Sequence, residues 1–138
     1  MGILSGIFGK KDVATDLTKQ APYKLSSEWT PYKLYSGRKS SALLNVRVRN
    51  MTNEVLLTSV VAELPKQLGF EAMKLSSQME KRVGEIAPQE EKEIRFEVFS
   101  GVNSDKGQYT VNLTTFAHYR DYGHVLNYVK KKITIDVV

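Results

Sequence analysis

The sequence contains no cysteine in its 138 residues. This absence excludes disulfide bonds, thiolate metal sites and a cysteine nucleophile. The folded state must therefore be stabilised by packing alone. A chain of this length can bury a sizeable core, because folding removes roughly two thirds of its unfolded surface from water.

Long apolar runs are absent as well. No window of about 18 apolar residues occurs, so the sequence predicts no membrane-spanning helix. The first residues do not fit a secretory signal, because Lys10 and Lys11 follow the apolar residues instead of preceding them. We therefore expect a cytoplasmic location and leave open a peripheral contact with a membrane through residues 1–11.

The sequence also lacks the signatures of catalysis. It contains no Gly-x-Ser-x-Gly elbow, no phosphate-binding glycine loop and no paired carboxylates in a catalytic context. Its two histidines, His118 and His124, flank a turn with Asp121, but no third neighbour at metal-ligand spacing accompanies them. We expect no enzymatic activity, no cofactor and no bound metal.

The composition is that of a folded globular domain, with 41% hydrophobic and 25% charged residues. The formal net charge is +5, and the positive excess lies in the first third of the chain. Such a charge favours weak attraction to nucleic acid or to an anionic membrane. No single predicted element concentrates it, so charge alone assigns no partner.

Alternating hydrophobic residues predict β-strands. Residues 41–51 place polar or charged side chains on one face and aliphatic side chains on the other, namely Leu44, Val46 and Val48. Residues 54–64 repeat the pattern after an Asn-rich turn, so we predict that these two strands form a hairpin. Residues 93–99 alternate in the same way.

Three less regular segments complete the predicted sheets. Residues 21–35 contain two prolines and are interpreted as irregular edge strands, whereas residues 71–81 fit either a short helix or a loop with a short strand. Residues 125–138 alternate, but Lys131 shares the parity of their apolar residues. We expect a bulge near residues 130–132, or a place at the open end of the sheet, to keep its ammonium in water.

A tyrosine follows a glycine turn at the mouth of the longest strand-like run. Asp105, Gly107 and Tyr109 form the pattern Asp-x-Gly-x-Tyr-x-Val. This pattern resembles the tyrosine corner of immunoglobulin-like sandwiches, in which a tyrosine near the start of strand F bonds its hydroxyl to upstream backbone. The resemblance implies that Tyr109 makes this bond.

A second stretch supports the same fold class. Residues 83–96, Val-Gly-Glu-Ile-Ala-Pro-Gln-Glu-Glu-Lys-Glu-Ile-Arg-Phe, together with Gly-Gln-Tyr-Thr-Val at residues 107–111, are similar to CARDB and related fibronectin-like sandwich domains. The likeness covers roughly residues 40–138 and implies a fold, not an activity. It departs from the family at Gln89, where glycine is commoner. Antibody domains join their sheets by a disulfide, and aliphatic residues would replace it here: Val46 or Val48 opposite Val111.

We therefore expect an all-β, immunoglobulin-like sandwich of about seven antiparallel strands. It occupies residues 21–138 and follows a short flexible or helical N-terminal segment, residues 1–20. That segment has apolar residues at the spacing of one helix face, which would dock on a membrane or a partner: Ile3, Leu4, Ile7 and Phe8.

The richest local chemistry lies around the turn at residues 118–124. The candidate partner-binding residues are His118, Tyr119, Arg120, Asp121, Tyr122, His124, Tyr128 and Lys130. Tyr and Arg commonly anchor interfaces, although the same residues would also form a well-packed hairpin. We predict a non-catalytic interaction domain that binds another protein through these end loops or a sheet edge. The alternative is a nucleic-acid-binding domain that uses the basic aromatic cluster of residues 118–132.

Overall fold

Residues 21–138, the part of the chain that the computed structural model describes, form eight β-strands in two sheets. The strands are β1 (Tyr23–Thr30), β2 (Lys33–Leu34), β3 (Ser40–Asn50), β4 (Leu56–Glu63), β5 (Gln78–Ile86), β6 (Glu91–Ser100), β7 (Gly107–His118) and β8 (Val125–Val137). The smaller sheet has the order β1-β3-β6 and the larger the order β2-β8-β7-β4-β5. All strand pairs are antiparallel except β2 with β8.

The predicted all-β sandwich is confirmed, with eight strands where about seven were expected, and the irregular edge strands predicted in residues 21–35 correspond to β1 and β2. Within residues 21–138 there is no helix of the length and hydrophobicity needed to cross a membrane. The N-terminal docking candidates lie outside these residues: Ile3, Leu4, Ile7 and Phe8.

Strict alternation explains how β3 packs. Its even-numbered residues from position 42 onward are buried, as the two-residue period of a strand requires. The core contains aliphatic side chains from both sheets, among them Leu44, Val46 and Val48 of β3 and Val111 of β7. Packing of these side chains holds the layers together in a chain without disulfides.

The predicted hairpin of β3 and β4 is wrong, because the two strands belong to different sheets. Asn50 organises the crossing between the layers. Its buried amide donates hydrogen bonds to the carbonyls of Glu54, at 2.7 Å, and Ile86, at 2.9 Å, and accepts one from the backbone of Thr52 at 2.8 Å. Because this side chain satisfies the loop backbone, the chain can leave one sheet for the other without unpaired buried polar groups.

The segment whose structure the sequence left open, residues 71–81, contains turns followed by the first residues of β5. β5 thus begins within this segment, at Gln78. Its register with β4 shifts between Thr58 and Ser59, opposite Gly84. Gly84 has a φ of 88°, a conformation that a side chain would strain, so glycine suits this bulge.

The expected bulge at residues 130–132 is absent, since the register of β8 with β7 is continuous there. Lys131 instead reaches across the sandwich, and its Nζ donates a hydrogen bond to the carbonyl of Leu25 in β1 at 3.1 Å. The register shifts near the start of β8, where Val125 pairs with His118. Val125 is consequently 53% exposed, although the alternation predicts it on the buried face.

The tyrosine corner is formed as the resemblance implies. The hydroxyl of Tyr109 donates a hydrogen bond to the carbonyl of Asp105 at 2.7 Å. Its ring packs against the core, and Gly107, with a φ of 154°, opens the strand between the two bonded residues. The bond fixes the loop that leads into β7.

Polar contacts also join the two layers. The buried hydroxyl of Tyr23 in β1 lies 2.7 Å from the hydroxyl of Thr58 in β4. At the other end of β1, the indole Nε1 of Trp29 donates to the carbonyl of Thr134 in β8 at 3.0 Å. These contacts fix β1 against the larger sheet.

Candidate partner-binding surface

The turn between β7 and β8 is held by a compact set of hydrogen bonds. The backbone N–H of Tyr119 donates to the carbonyl of His124 at 2.9 Å. The carboxylate of Asp121 accepts bonds from the backbone of Gly123 and from Nδ1 of His124, each at 2.8 Å. The bond from His124 is the main reason that the pKa of Asp121 lies below its ordinary value. Asp121 and His124 thus shape the turn, and both remain exposed.

Two of the candidates stand together at the tip of this turn. The guanidinium of Arg120 lies 4.9 Å from the centroid of the Tyr119 ring, within the range of a cation–π contact. Arg120 has a φ of 70°, which is uncommon for a residue with a side chain. The ring of Tyr119 is 49% exposed. The turn therefore presents a stacked tyrosine and arginine to solvent.

Tyr122 points the other way, onto the edge strand β5. Its hydroxyl accepts a hydrogen bond from the backbone of Gly84 at 3.1 Å. The guanidinium of Arg82 lies 4.6 Å from its ring centroid, and the ring meets His118 edge-on at 5.0 Å. Tyr122 braces the turn against the β5 bulge.

His118 is buried, with 6% of its surface exposed. Its Nε2 lies 2.6 Å from the hydroxyl of Ser59 in β4, while its Nδ1 has no hydrogen-bond partner among the described residues. The ring is therefore buried between Ser59 of β4 and Tyr122 of the turn. Among residues 21–138, no three His, Asp or Glu side chains cluster as metal ligands would.

Beside the turn lies a cleft of about 250 Å³. It is lined by the start of β4, the tip of the turn and neighbouring residues, namely Glu54, Val55, Leu56, Leu57, Glu85, His118, Tyr119, Arg120 and Leu126. Val55 is 56% and Leu126 60% exposed. We call the exposed set Tyr119, Arg120, Val55 and Leu126 the turn surface.

The remaining two candidates lie elsewhere, on the outward side of the larger sheet. The ring of Tyr128 packs against Phe116 at a centroid distance of 6.2 Å, and Nζ of Lys130 lies 5.6 Å from the Tyr128 ring. The structure thus divides the eight candidates. It brings Tyr119 and Arg120 together at the tip, places Tyr128 and Lys130 on the sheet, and uses the others to build the turn.

Sequence reasoning missed the apolar part of the turn surface. Val55 immediately precedes β4, and its burial could not be assigned without knowing that β4 joins the larger sheet. Leu126 carries one local signal, because Val125 and Leu126 are adjacent aliphatics that break the alternation of β8. A break of this kind is typical of a bulge.

Comparison of the chain with protein-family models found no match, and comparison with curated proteins found no relative.

Proposed function

We propose that the protein is a non-catalytic interaction domain that binds another protein through the turn surface. The observation that carries this proposal is the exposed pair of Tyr119 and Arg120, stacked on each other beside a cleft with exposed aliphatic walls. Tyrosine and arginine are enriched among residues that contribute most binding energy. Because hydrogen bonds fix the turn, its backbone loses little conformational freedom on binding.

The charges around the cleft suggest the chemistry of the partner. Glu54 and Glu85 are exposed on its walls. A partner segment that inserts an apolar side chain and carries a basic group nearby would match both features. Tyr122 and His118 support the site from beneath and do not contact the partner in this proposal.

We assign the sandwich to the immunoglobulin-like class, of the CARDB type. The corner bond of Tyr109 supports this assignment. So does Gln89, whose φ is 66°. The family commonly has glycine at this position, and a left-handed backbone accounts for that preference.

The nucleic-acid alternative gains less support from the geometry. Its lysine cluster is divided, because Lys131 bonds to the smaller sheet while Lys130 and Lys132 are exposed on the larger one. The turn surface also adjoins Glu54 and Glu85, which repel phosphate. A cytoplasmic location and a membrane contact through residues 1–11 remain sequence-based proposals.

Site-specific photo-crosslinking tests the proposed function. A photoreactive residue is placed at Leu126, or as a control at Tyr32, which is 72% exposed next to β2 at the opposite end of the sandwich. We expect protein adducts from cell extract with the first and not with the second. With the captured partner purified, Tyr119→Ala and Arg120→Ala should each weaken binding about tenfold or more.

Equal crosslinking from both positions, or unchanged affinity in both alanine variants, would show that the turn surface is not the binding site. A gel-shift assay at low salt tests the nucleic-acid alternative. Retardation of nucleic acid that weakens steeply with added salt would favour nucleic-acid binding instead.

A further inference from the structure

The outward faces of the two sheets differ in character. The smaller sheet presents an exposed polar and charged face whose members include Lys24, Glu28, Arg47, Arg49, Glu93, Arg95 and Glu97. Arg47 and Glu93 face each other across the β3–β6 pair, 3.8 Å apart. Such a face is fully compatible with water and needs no partner.

The larger sheet has an apolar centre on its outward face. Tyr128 is 53% exposed and packs on Phe116, with Val61 partly exposed on the neighbouring strand β4. Two adjoining depressions, of about 330 and about 270 Å³, lie along this face and share the residues Glu63, Thr114 and Lys130. Tyr128 is thus the most exposed apolar side chain of this centre, and polar and charged residues surround it.

The register arranges charges on either side of this centre. One row across the strands β5, β4, β7 and β8 reads Glu80, Val61, Thr114, Lys130. The next two rows read Gln78, Glu63, Asn112, Lys132 and Arg82, Ser59, Phe116, Tyr128. We call these three rows the sheet face. Its carboxylates lie on β4 and β5, whereas its lysines lie on β8.

This arrangement is complementary to itself. Suppose that two sheet faces meet about a two-fold axis that runs parallel to β4 and β7 and lies between them. The axis then places β4 of one copy over β7 of the second copy. The β5 strand then faces β8, so Glu80 meets Lys130 of the second copy. In the same geometry Arg82 meets Tyr128 of the second copy, a cation–π pair. Val61 then lies over Thr114 and Phe116 over Ser59 of the second copy, so each apolar side chain is covered by a small polar one. A two-fold axis perpendicular to the strands would place like charges together.

We infer that the protein self-associates through the sheet face as a two-fold symmetric dimer. The inference goes beyond the proposed function and is independent of it, because the turn surface is a different set of residues. Two-fold dimers with self-complementary patches are the commonest protein oligomers. Three rows about 6.8 Å apart on four strands about 4.8 Å apart give a patch of roughly 400 Å² per copy in projection. That size is typical of a weak interface, so we expect dissociation in the micromolar range.

Glu80 and Lys130 can pair only between copies. Glu80 and Lys130 are three strand spacings apart in one chain, about 14 Å, which exceeds the screening length of about 8 Å at physiological salt. Within the chain, Glu80 lies 3.7 Å from Arg82, and an exposed contact of this length is weak. Charge reversal at either position therefore leaves the monomer largely unaffected and changes the dimer.

Sedimentation equilibrium of the full chain tests the inference. We expect wild type to dimerise at micromolar concentration, and Glu80→Lys and Lys130→Glu each to weaken dimerisation about tenfold or more, because both symmetric contacts become repulsive. An equimolar mixture of the two variants should recover the dimer, since each mixed contact again joins a lysine to a glutamate. The double variant should dimerise like wild type.

Matched controls are available on the smaller sheet. Glu93→Lys and Arg47→Glu reverse charges on a face that the dimer leaves exposed, so they should not change its dissociation constant. Circular dichroism checks that each variant is folded, and concentration-dependent NMR shifts of the Thr114 and Phe116 amides in wild type give a measure that needs no variant. A wild type that stays monomeric to about 1 mM overturns the inference. So does a dimer that the single variants leave unchanged, or a mixture of variants that fails to associate.

Discussion

Replacing Tyr23 with phenylalanine removes one hydroxyl that joins the two sheets. Tyr23 is 3% exposed, and its hydroxyl lies 2.7 Å from that of Thr58. Thr58 donates its own hydrogen to the carbonyl of Leu56 at 3.1 Å, so the tyrosine is the donor in the pair. The substitution therefore leaves a buried acceptor unsatisfied and keeps the rest of the side chain in place.

The expected cost follows from these contacts. A net hydrogen bond contributes about 1 kcal/mol, and an unsatisfied buried acceptor adds to the loss, so Tyr23→Phe should lower the free energy of unfolding by about 1–2 kcal/mol. In a Thr58→Val background the acceptor is already absent. There the same substitution should cost less than about 0.5 kcal/mol, which gives a coupling of about 1 kcal/mol in the double-mutant cycle.

Urea unfolding followed by fluorescence measures these values, because Trp29 is the only tryptophan and is partly buried against the core. The variants should shift the midpoint without changing the slope, as a local change in stability does. Equal costs of Tyr23→Phe in both backgrounds would refute the assigned bond.

The same substitution has a pH signature. Burial raises the pKa of the Tyr23 hydroxyl. The unfolded chain ionises near its ordinary value of about 10, while the folded chain retains the proton. The contribution of this group to stability is therefore fully present below about pH 10 and is lost as the pH rises through the folded pKa. Tyr23→Phe should reduce this alkaline loss of stability.

Two further predictions concern turns. Gln89→Gly should raise the free energy of unfolding by about 1 kcal/mol, because the left-handed backbone at this position costs a residue with a side chain about 1–2 kcal/mol, and the greater entropy that glycine loses on folding cancels part of the gain. The control, Asn53→Gly, changes a turn residue without a positive φ and should not stabilise the fold. Equal effects of the two substitutions in urea unfolding would contradict this explanation. His124→Ala should raise the pKa of Asp121 toward its ordinary value in an NMR titration, because the bond from His124 is the main cause of its depression. A carboxyl whose pKa is depressed in the folded state contributes stability above its ordinary pKa, and this contribution is lost as the pH falls through the folded pKa. The His124→Ala variant should therefore lose less stability on acidification. An unchanged Asp121 pKa would rule out that cause.

Part of the candidate site could be predicted from the sequence. The turn at residues 119–124 follows from its Asp and Gly residues and from the alternation on both sides, and the residue types identified Tyr119 and Arg120. The sequence could not separate these exposed residues from Tyr122 and His118, which are close in sequence and similar in chemistry. That separation depends on β5, because the Gly84 bulge receives Tyr122, and on Ser59 of β4, which contacts His118.

Local patterns determined which side of a regular strand such as β3 is buried and where the corner bond of Tyr109 forms. The period of two fixes the inward residues of β3 from their immediate neighbours, and the corner bond of Tyr109 spans four residues. Only the tertiary structure decided which strands are neighbours. β3 and β4 look like a hairpin in sequence, but Asn50 directs the chain across the sandwich, and Lys131 finds its acceptor in the opposite sheet. Alternation is a property of one strand, whereas strand pairing and the burial of a polar group depend on contacts between residues far apart in the chain.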